Sequence, residues 1–346
     1  MKKVIIAITF LLVGTSFANA RDTIHIVGSS TVFPFSTAVA EAFGKKNKFP
    51  TPIVESTGSG GGLKLFCKGI GSRHPDITNA SRRIKNQEVK RCAENGILDI
   101  TEVKIGFDGI VFASSKKAKR MSITLQQIFL ALGKEVPVNG KMTKNPHTKW
   151  SDIDPKLPDV KIEVLGPPPT SGTRDAFAEL AMGGGCKTFP DLKALKKSDK
   201  KKFKATCYAI REDGTYIEAG ENDNLIVQKL DANPNALGVF GFSFLDQNAD
   251  KLQGSTVNGV NPTFDNIASG KYKISRSLFF YVKKDHIDMI PGMKEYVVEF
   301  TAEATWGNDG YLADKGLIPL PKTNRDEIAK SAAAMVSLDI KKAKLE

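Results

Sequence analysis

Short apolar segments that resemble strands alternate along this chain with segments that resemble helices. Residues 23–27 precede a helix predicted from about Pro34, and residues 161–165 precede another from about Gly172. When a strand is followed by a helix and a further strand, the helix crosses back over the sheet and the strands run parallel. The alternation therefore predicts an α/β fold. A length of 346 residues is enough for two domains of ordinary size.

The first predicted helix carries an apolar stripe. Phe35, Val39 and Phe43 are spaced by four residues, which places them on one helix face. Pro34 suits the first turn of a helix because its missing N–H is not needed there. Gly44 is predicted to end the helix.

The first 20 residues have the pattern of a secretory signal peptide. Lys2 and Lys3 form a basic start, residues 4–13 are apolar, and Ala18-Asn19-Ala20 fits a cleavage site. The apolar run is too short for a membrane span; a membrane anchor or a buried first strand is the alternative. We expect cleavage after Ala20 and export from the cytoplasm. Cleavage lowers the formal charge from +12 to +10, because two lysines and no acid are lost.

The chain has four cysteines, and none of them lies in a Cys-x-x-Cys pair. An exported protein meets an oxidising compartment, which permits disulfides. Of the three possible pairings we predict Cys67–Cys92 and Cys186–Cys207, since both close short loops of 25 and 21 residues. Four reduced, buried thiols are the alternative.

The high positive charge raises the question of a nucleic-acid partner. Residues 193–204 hold seven lysines, but the run contains no arginine and only one aromatic residue, Phe203. Bases therefore find little to stack on. We interpret the run as a solvated helix face and predict no nucleic-acid partner.

Most sequence signatures of catalysis are missing. The four histidines, at positions 25, 74, 147 and 286, are too dispersed for a sequence-local metal pair. The chain has no Walker A loop and no Gly-x-Ser-x-Gly motif. A triad assembled in three dimensions stays open. We predict no catalytic residue, no metal site and no cofactor.

Four loops rich in hydroxyl groups and glycine each lie between a strand-like and a helix-like segment. A helix N-terminus offers unpaired N–H groups to an anion, and glycine lets the anion approach the backbone closely. Arg82 and Arg174 lie in two of these loops and can each give paired donors to an oxyanion. For a single loop, helix capping alone is the alternative. The loops comprise residues 28–31, 56–62, 79–83 and 170–174.

The same loops carry a family resemblance, which extends from about residue 23 to about residue 320. The chain resembles the periplasmic phosphate-binding proteins of Pst-type ABC transporters, which are type II solute-binding proteins. The resemblance implies two α/β lobes joined by hinge strands, inorganic phosphate held between the lobes, delivery to a membrane permease, a monomer and no enzymatic activity. The motifs that carry it are Gly28-Ser-Ser-Thr-Val-Phe-Pro34, Glu55-Ser-Thr-Gly-Ser-Gly-Gly-Gly-Leu-Lys64, Asp76-Ile-Thr-Asn-Ala-Ser-Arg82, Thr170-Ser-Gly-Thr-Arg-Asp-Ala-Phe177 and Asn233-Pro-Asn-Ala-Leu-Gly-Val239.

The resemblance also implies which residues bind the anion. Thr31 and the N–H of Val32 match the family's first loop, Ser59 matches the second, and residues 171–173 match the last. With their neighbours, the predicted phosphate-binding residues are Ser30, Thr31, Val32, Ser59, Gly60, Ser81, Arg82, Asp108, Ser171, Gly172, Thr173 and Arg174.

Two departures from the family pattern bear on selectivity. Ser81 stands where some members have an aspartate that accepts the phosphate proton, and Pro167 stands where some have an arginine. We expect Asp108 to act as the acceptor, with Asp76 or Asp175 as the next candidates. We expect Arg174 to supply the missing cation; a surface ion pair with a carboxylate of its own helix is the alternative. An ordinary hinge contact is the alternative for Asp108. The departures leave open another tetrahedral oxyanion, and an exported phosphatase-like hydrolase is a further alternative.

The lobe boundaries follow from two strand-like runs, residues 103–112 and 274–282, which are the best candidates for hinges. We predict that residues 21–106 and 275–346 form the first lobe and that residues 107–274 form the second.

Overall fold

The computed structural model describes residues 21–46, 48–169, 171–220 and 223–339. The predicted signal peptide at residues 1–20 and the predicted loop residue Thr170 lie outside the described residues. The strands are β1 His25–Gly28, β2 Ile53–Ser56, β3 Ile77–Ala80, β4 Ile100–Ser115, β5 Ser122–Ile123, β6 Glu135–Val138, β7 Lys141–Lys144, β8 Val164–Gly166, β9 Tyr216–Glu218, β10 Leu237–Gly241, β11 Leu252–Gly254, β12 Thr256–Val257 and β13 Ser275–Lys283.

Helices cover most of the connections between the strands. A π-helical turn at Ala178–Met182 joins the α-helices Gly172–Phe177 and Gly183–Cys186. The chain is therefore helical without a break from Gly172 to Cys186. The α-helices are α1 Phe33–Lys46, α2 Ser59–Phe66, α3 Asn86–Glu94, α4 Leu125–Leu132, α5 Gly172–Phe177, α6 Gly183–Cys186, α7 Pro190–Ser198, α8 Lys200–Cys207, α9 Asp223–Ala232, α10 Phe242–Gln247, α11 Phe264–Ala268, α12 Met293–Phe300, α13 Glu303–Trp306 and α14 Lys322–Ala333.

The predicted α/β architecture is confirmed, with one difference in the sheet. The main sheet has the strand order β2-β1-β3-β13-β4-β10-β8-β9. The outer strands pair in parallel, as the alternation predicts. The central strands β13, β4 and β10 pair antiparallel. The parallel pairing predicted from the alternation does not extend to these strands. The reason is that β4 and β13 connect the two parallel groups and do not alternate with crossover helices.

Strand β4 runs through both halves of the sheet. Its residues 100–109 pair with β13, and its residues 110–113 pair with β10. Asp108 therefore lies where the chain passes from one parallel group of strands to the other. Arg276 on β13 lies directly opposite Asp108 in this register.

The buried apolar residues sort into groups on either side of this passage. One core draws on residues 107–274 together with Ile318 and Leu320. Two further cores draw only on residues outside that range. Ile318 and Leu320, which the sequence assigns to the first lobe with residues 21–106 and 275–346, pack with the core of residues 107–274. The boundaries themselves stay a prediction.

Helix α1 begins as predicted but does not end at Gly44. It continues to Lys46, and Phe35, Val39 and Phe43 are buried on one face. A Cβ at Gly44 would lie 2.0 Å from Oγ1 of Thr51. Gly44 therefore serves the close approach of the following chain segment rather than helix termination.

Both predicted disulfides are formed, between Cys67 and Cys92 and between Cys186 and Cys207. All four cysteines are fully buried. The second bridge ties the end of α6 to the end of α8 across the lysine-rich helices. The seven lysines of residues 193–204 are exposed, as predicted, but they lie on two helices separated at Asp199.

Removing the second disulfide is expected to lower stability. A Cys186→Ala/Cys207→Ala variant should lose about 3 kcal/mol of unfolding free energy, because the bridge no longer restricts a loop of the unfolded chain. Urea denaturation measures the change; the wild type in reductant should lose at least as much, because both bridges then open. An unchanged intact mass on reduction, or an unchanged midpoint, would contradict the pairing.

Among the described residues, no helix is both long and apolar enough to cross a membrane. Within the same part of the chain, no group of three or more histidine, cysteine, aspartate or glutamate side chains is placed to hold a metal ion.

Candidate functional site

Three of the hydroxyl-rich loops leave the same edge of the sheet. Strands β1, β2 and β3 are parallel neighbours, so their carboxyl ends meet there, and each leads into one of the predicted loops. Ligands of open α/β sheets bind outside the carboxyl ends of strands. The fourth loop follows β8 in the second lobe and opens α5.

The first and the fourth loops lie against each other, although 140 residues separate Ser30 from Thr170. A Cβ at Gly172 would lie 3.2 Å from the carbonyl oxygen of Ser30 and 3.6 Å from Cα of Thr31. The fold thus brings together the predicted loops of both lobes. Thr31 is buried with 6% of its surface exposed, and Val32 is fully buried. The Val32 N–H, predicted to face the anion, points at Oγ of Ser29 at 3.4 Å.

The second and third loops are joined by a pair of serines. Oγ of Ser59 accepts a hydrogen bond from the Ser81 N–H at 3.0 Å and lies 3.1 Å from Oγ of Ser81. Ser59 is the first residue of α2, and Gly58 before it has a φ of 71°, which glycine adopts at little cost. Nη2 of Arg82 lies 4.0 Å from the position of a Cβ on Gly60. Ser59, Gly60, Ser81 and Arg82 therefore form one cluster.

Two glycines hold α2 against the sheet. A Cβ at Gly62 would lie 2.4 Å from Cα of Gly28, and a Cβ at Gly28 would lie 2.2 Å from the carbonyl oxygen of Asn79. The missing side chain of Gly62 lets α2 approach the end of β1, and the missing side chain of Gly28 lets the end of β1 lie against β3.

Arg82 is engaged within its own lobe. Its guanidinium donates two hydrogen bonds to the carboxylate of Glu88, at 2.9 and 2.7 Å, and one to the carbonyl of Arg83 at 3.1 Å. Burial acts to raise the pKa of Glu88, but hydrogen bonds from Arg82 and from the Lys85 N–H outweigh it and lower that pKa. The guanidinium keeps further N–H donors beyond these three bonds.

Arg174 is likewise held by its own lobe. Its guanidinium stacks over the ring of Tyr216 at 4.1 Å and donates to the carbonyl of Pro167 at 3.3 Å. The Tyr216 hydroxyl donates to the same carbonyl at 2.9 Å. Pro167 stands where some family members have an arginine. Its carbonyl therefore holds the guanidinium of Arg174 at that position. Among the described residues, Arg174 has no hydrogen bond or ion pair with the loops of the first lobe.

Arg276, which the sequence did not single out, occupies the junction of the loops. Its Nε lies 3.2 Å from Oδ2 of Asp108, its Nη1 lies 3.1 Å from Oε2 of Glu179, and its Nη2 donates to Oγ1 of Thr31. Only 10% of the Arg276 side chain is exposed. One guanidinium therefore contacts the first loop, the hinge strand β4 and the helix of the second lobe.

Asp108, the predicted acceptor, lies at this junction through its contact with Arg276. It is buried, and its only described hydrogen-bond partner is Arg276. Burial raises the pKa of Asp108, while the positive charge and the hydrogen bond of Arg276 act in the opposite direction. A buried carboxylate with one cationic partner and an unused oxygen is a suitable acceptor for a ligand proton.

Glu179 connects the two groups of residues electrostatically. Hydrogen bonding to Glu88 is the largest cause of the raised pKa of Arg82, and the negative charge of Glu179 adds to it. Glu179 also forms the ion pair with Arg276. Both cations at the ends of the first-lobe strands therefore sense this one carboxylate of the second lobe.

The hydroxyl groups of the loops share a feature that matters for anion binding. The oxygens of Thr31, Ser59 and Ser171 each accept an internal hydrogen bond, from Arg276, from the Ser81 N–H and from the Thr173 N–H respectively. A hydroxyl whose oxygen already accepts can still donate its own proton. The loops therefore present O–H donors from both lobes.

Comparison with known proteins agrees with this architecture. A model of the PBP superfamily domain matches residues 14–304. The chain belongs to the PBP superfamily. It is 33% identical to protein SphX of Synechococcus elongatus over 87% of this chain and 78% of SphX. It is 30% identical to the phosphate-binding protein PstS of Staphylococcus saprophyticus over 91% of this chain and 86% of PstS.

A solved structure supports the fold of this superfamily member. The crystal structure of a possible phosphate binding protein from Planctomyces limnophilus matches with a TM-score of 0.70 and 28% identity, over 91% of this chain and 99% of that chain. The family and the two-lobe type II fold expected from the sequence are thus confirmed. The individual ligand-binding residues stay predictions.

Proposed function

We propose that this protein captures inorganic phosphate between its two lobes and delivers it unchanged to the permease of an ABC transporter. The observation that carries the proposal is the contact of Arg276 with Thr31, Asp108 and Glu179 at the place where the loops of both lobes meet. The relatives named phosphate-binding proteins support the choice of ligand.

The junction supplies hydrogen-bond donors and a cation that can bind a phosphate ion. Uncharged O–H and N–H donors come from residues 30–32, 59–60, 81 and 171–173, and Arg276 adds a guanidinium that is paired with a buried carboxylate. Arg82 and Arg174 remain candidates for further donors, since each keeps unused N–H groups. In a site shielded from water, hydrogen bonds to a charged ligand are stronger than they are in solvent.

Asp108 gives the site a means to distinguish phosphate from sulfate. Monohydrogen phosphate can donate its proton to the carboxylate, whereas sulfate has no proton and is repelled by it. Ser81 can accept a proton but carries no charge. We therefore assign the selectivity to Asp108, which favours phosphate over another tetrahedral oxyanion.

The arrangement favours binding over hydrolysis. Among the described residues, the hydroxyls of Thr31, Ser59 and Ser171 have no hydrogen bond to a histidine or to a carboxylate that could act as a general base. His286 is occupied elsewhere, since its Nδ1 lies 2.6 Å from Asp76 and its Nε2 accepts from the Gly71 N–H at 2.9 Å. The family of substrate-binding proteins supports a non-enzymatic role.

The proposal includes export of the protein from the cytoplasm. Cleavage after Ala20 would release the mature chain into the periplasm, where the two disulfides can form. We propose that it acts there as a monomer with no nucleic-acid partner, and that the lobes divide at residues 106/107 and 274/275.

Calorimetry on the mature chain tests the proposed function. We expect micromolar phosphate to bind with a measurable heat and to raise the thermal midpoint, and sulfate at the same concentration to do neither. Turnover of a chromogenic phosphate ester serves as the test of the hydrolase. No heat and no stabilisation with phosphate would contradict the proposal.

Removing single hydroxyl donors is expected to weaken binding. Thr31→Ala and Ser59→Ala should each lose roughly 1–3 kcal/mol of binding free energy, or roughly 5- to 150-fold in affinity, because a buried ligand oxygen loses a donor. Ser198→Ala is a matched control, since this exposed serine bonds only to carbonyls of its own helix. Equal, small effects in all three variants would place the ligand elsewhere.

A further inference from the structure

A second charged cavity lies beside the proposed phosphate site. It has a volume of about 300 Å³ and is formed mainly by the continuous helix of residues 172–186, by α7 and by the end of α8. This volume is at the lower end of small-ligand pockets. Its polar side chains are those of Glu179, Lys187, Lys196, Tyr208 and Lys273.

Two glycines of the helix allow side chains that line this cavity to pack closely against the helix backbone. A Cβ at Gly183 would lie 2.6 Å from Cε1 of Tyr208, and a Cβ at Gly184 would lie 3.0 Å from Cδ1 of Leu125. The turn just before them is the π-helical segment Ala178–Met182. Such turns are rare and occur frequently at functional sites. Glu179 belongs to this turn and lines the cavity.

The charges in the cavity are unbalanced. Lys187, Lys196 and Lys273 contribute three ammonium groups, and Glu179, which is already paired with Arg276 at 3.1 Å, is the one carboxylate among the lining residues. Within the described part of the chain none of these three lysines forms an ion pair; Lys273 donates instead to the carbonyl of Gly270 at 3.0 Å. Lys187 is half-buried, whereas Lys196 and Lys273 are exposed. Like charges that line one cavity repel one another.

The titration behaviour of the lining groups agrees with this imbalance. Burial and, to a smaller extent, the charge of Lys196 lower the pKa of Lys187, while the charge of Glu179 acts in the opposite direction. Burial and the charge of Glu179 raise the pKa of Tyr208 to about 12, with Arg276 acting against them. Tyr208 therefore remains a neutral O–H donor, and it senses the same ion pair that borders the proposed phosphate site.

We propose that this cavity is a second binding site for a phosphate-type oxyanion, held by Lys187, Lys196, Lys273 and the hydroxyl of Tyr208. An anion there relieves the repulsion among the ammonium groups and accepts donors from three separate segments of the second lobe. Because Glu179 borders both sites, the second anion lies beside the loops that close on the first. The site goes beyond the proposed function and does not depend on it.

Equilibrium dialysis of the mature chain with radiolabelled inorganic phosphate tests the second site. We expect two classes of bound phosphate, the weaker of which loses at least about tenfold in affinity in a Lys187→Ala/Lys196→Ala variant. Tyr208→Phe should weaken the same class without removing a charge. Thermal denaturation of each variant checks that it is folded.

The matched control is Lys197→Ala, which removes a neighbouring exposed lysine of α7 that does not line the cavity. An equal effect of Lys197→Ala would mean binding by diffuse surface charge and would overturn the proposal. Saturation of the wild type at one phosphate per chain would also overturn it. Arg276→Ala should remove only the tighter class of bound phosphate. If the wild type itself shows the weaker class without the tighter one, that result would contradict the proposed function and would support the second site.

Discussion

Replacement of Arg276 by alanine is expected to have the largest effect on phosphate binding. The variant loses the cation that contacts Thr31, Asp108 and Glu179, and it leaves the buried carboxylate of Asp108 without its partner. Truncating one member of a buried charged pair at a binding site costs about 3 kcal/mol or more, which corresponds to roughly 150-fold in affinity. Isothermal titration calorimetry with phosphate measures the loss.

Two further variants separate this effect from a loss of stability. A buried, unpaired Asp108 should also destabilise the fold, so Arg276→Ala/Asp108→Asn should recover the thermal midpoint without recovering tight binding. Arg174→Ala is the comparison arginine variant, because the guanidinium of Arg174 interacts, within the described residues, with Pro167 and Tyr216 of the second lobe and not with Asp108. A greater loss of affinity in Arg174→Ala than in Arg276→Ala would contradict the role given to Arg276 and restore the expectation drawn from the sequence.

Replacement of Asp108 by asparagine is expected to change selectivity more than affinity. The amide keeps the shape of the carboxylate but removes its negative charge, so sulfate is no longer repelled and Arg276 faces the ligand unneutralised. We expect the preference for phosphate over sulfate to fall at least about 100-fold, mostly through tighter sulfate binding. Competition between the two anions in calorimetry measures this ratio.

The matched control for Asp108→Asn is Asp175→Asn. Asp175 follows the fourth loop and is exposed on the first turn of α5. Its replacement should leave the ratio of the two affinities unchanged. Sulfate affinity that does not rise in Asp108→Asn would mean that another group accepts the phosphate proton.

Local sequence patterns predicted much of the framework. The spacing of Phe35, Val39 and Phe43 identified the buried face of α1, and the loop at Gly172 identified the start of α5. The cysteine pairing followed from short sequence separations. Each of these properties depends on residues that are near one another along the chain, so a local pattern records it. A local pattern does not record the role of Gly44, because that role depends on Thr51, which lies outside the helix.

The interpretation of the arginines needed the structure. Arg82 and Arg174 lie in loop motifs and drew attention for that reason, yet each is engaged by partners in its own lobe. Arg276 lies at the start of a hinge strand, next to an apolar run, and no motif marks it. Its opposition to Asp108 comes from the register of β13 on β4, which the sequence does not state.

The sequence by itself determined the α/β class, the hydroxyl-rich loops at strand ends, the two disulfides and the family. Only the tertiary structure decided which cation and which carboxylate meet at those loops. The reason is distance along the chain: Thr31, Asp108, Glu179 and Arg276 are each separated by many tens of residues, and the antiparallel pairing of the hinge strands with the approach of the two lobes is what brings them into contact.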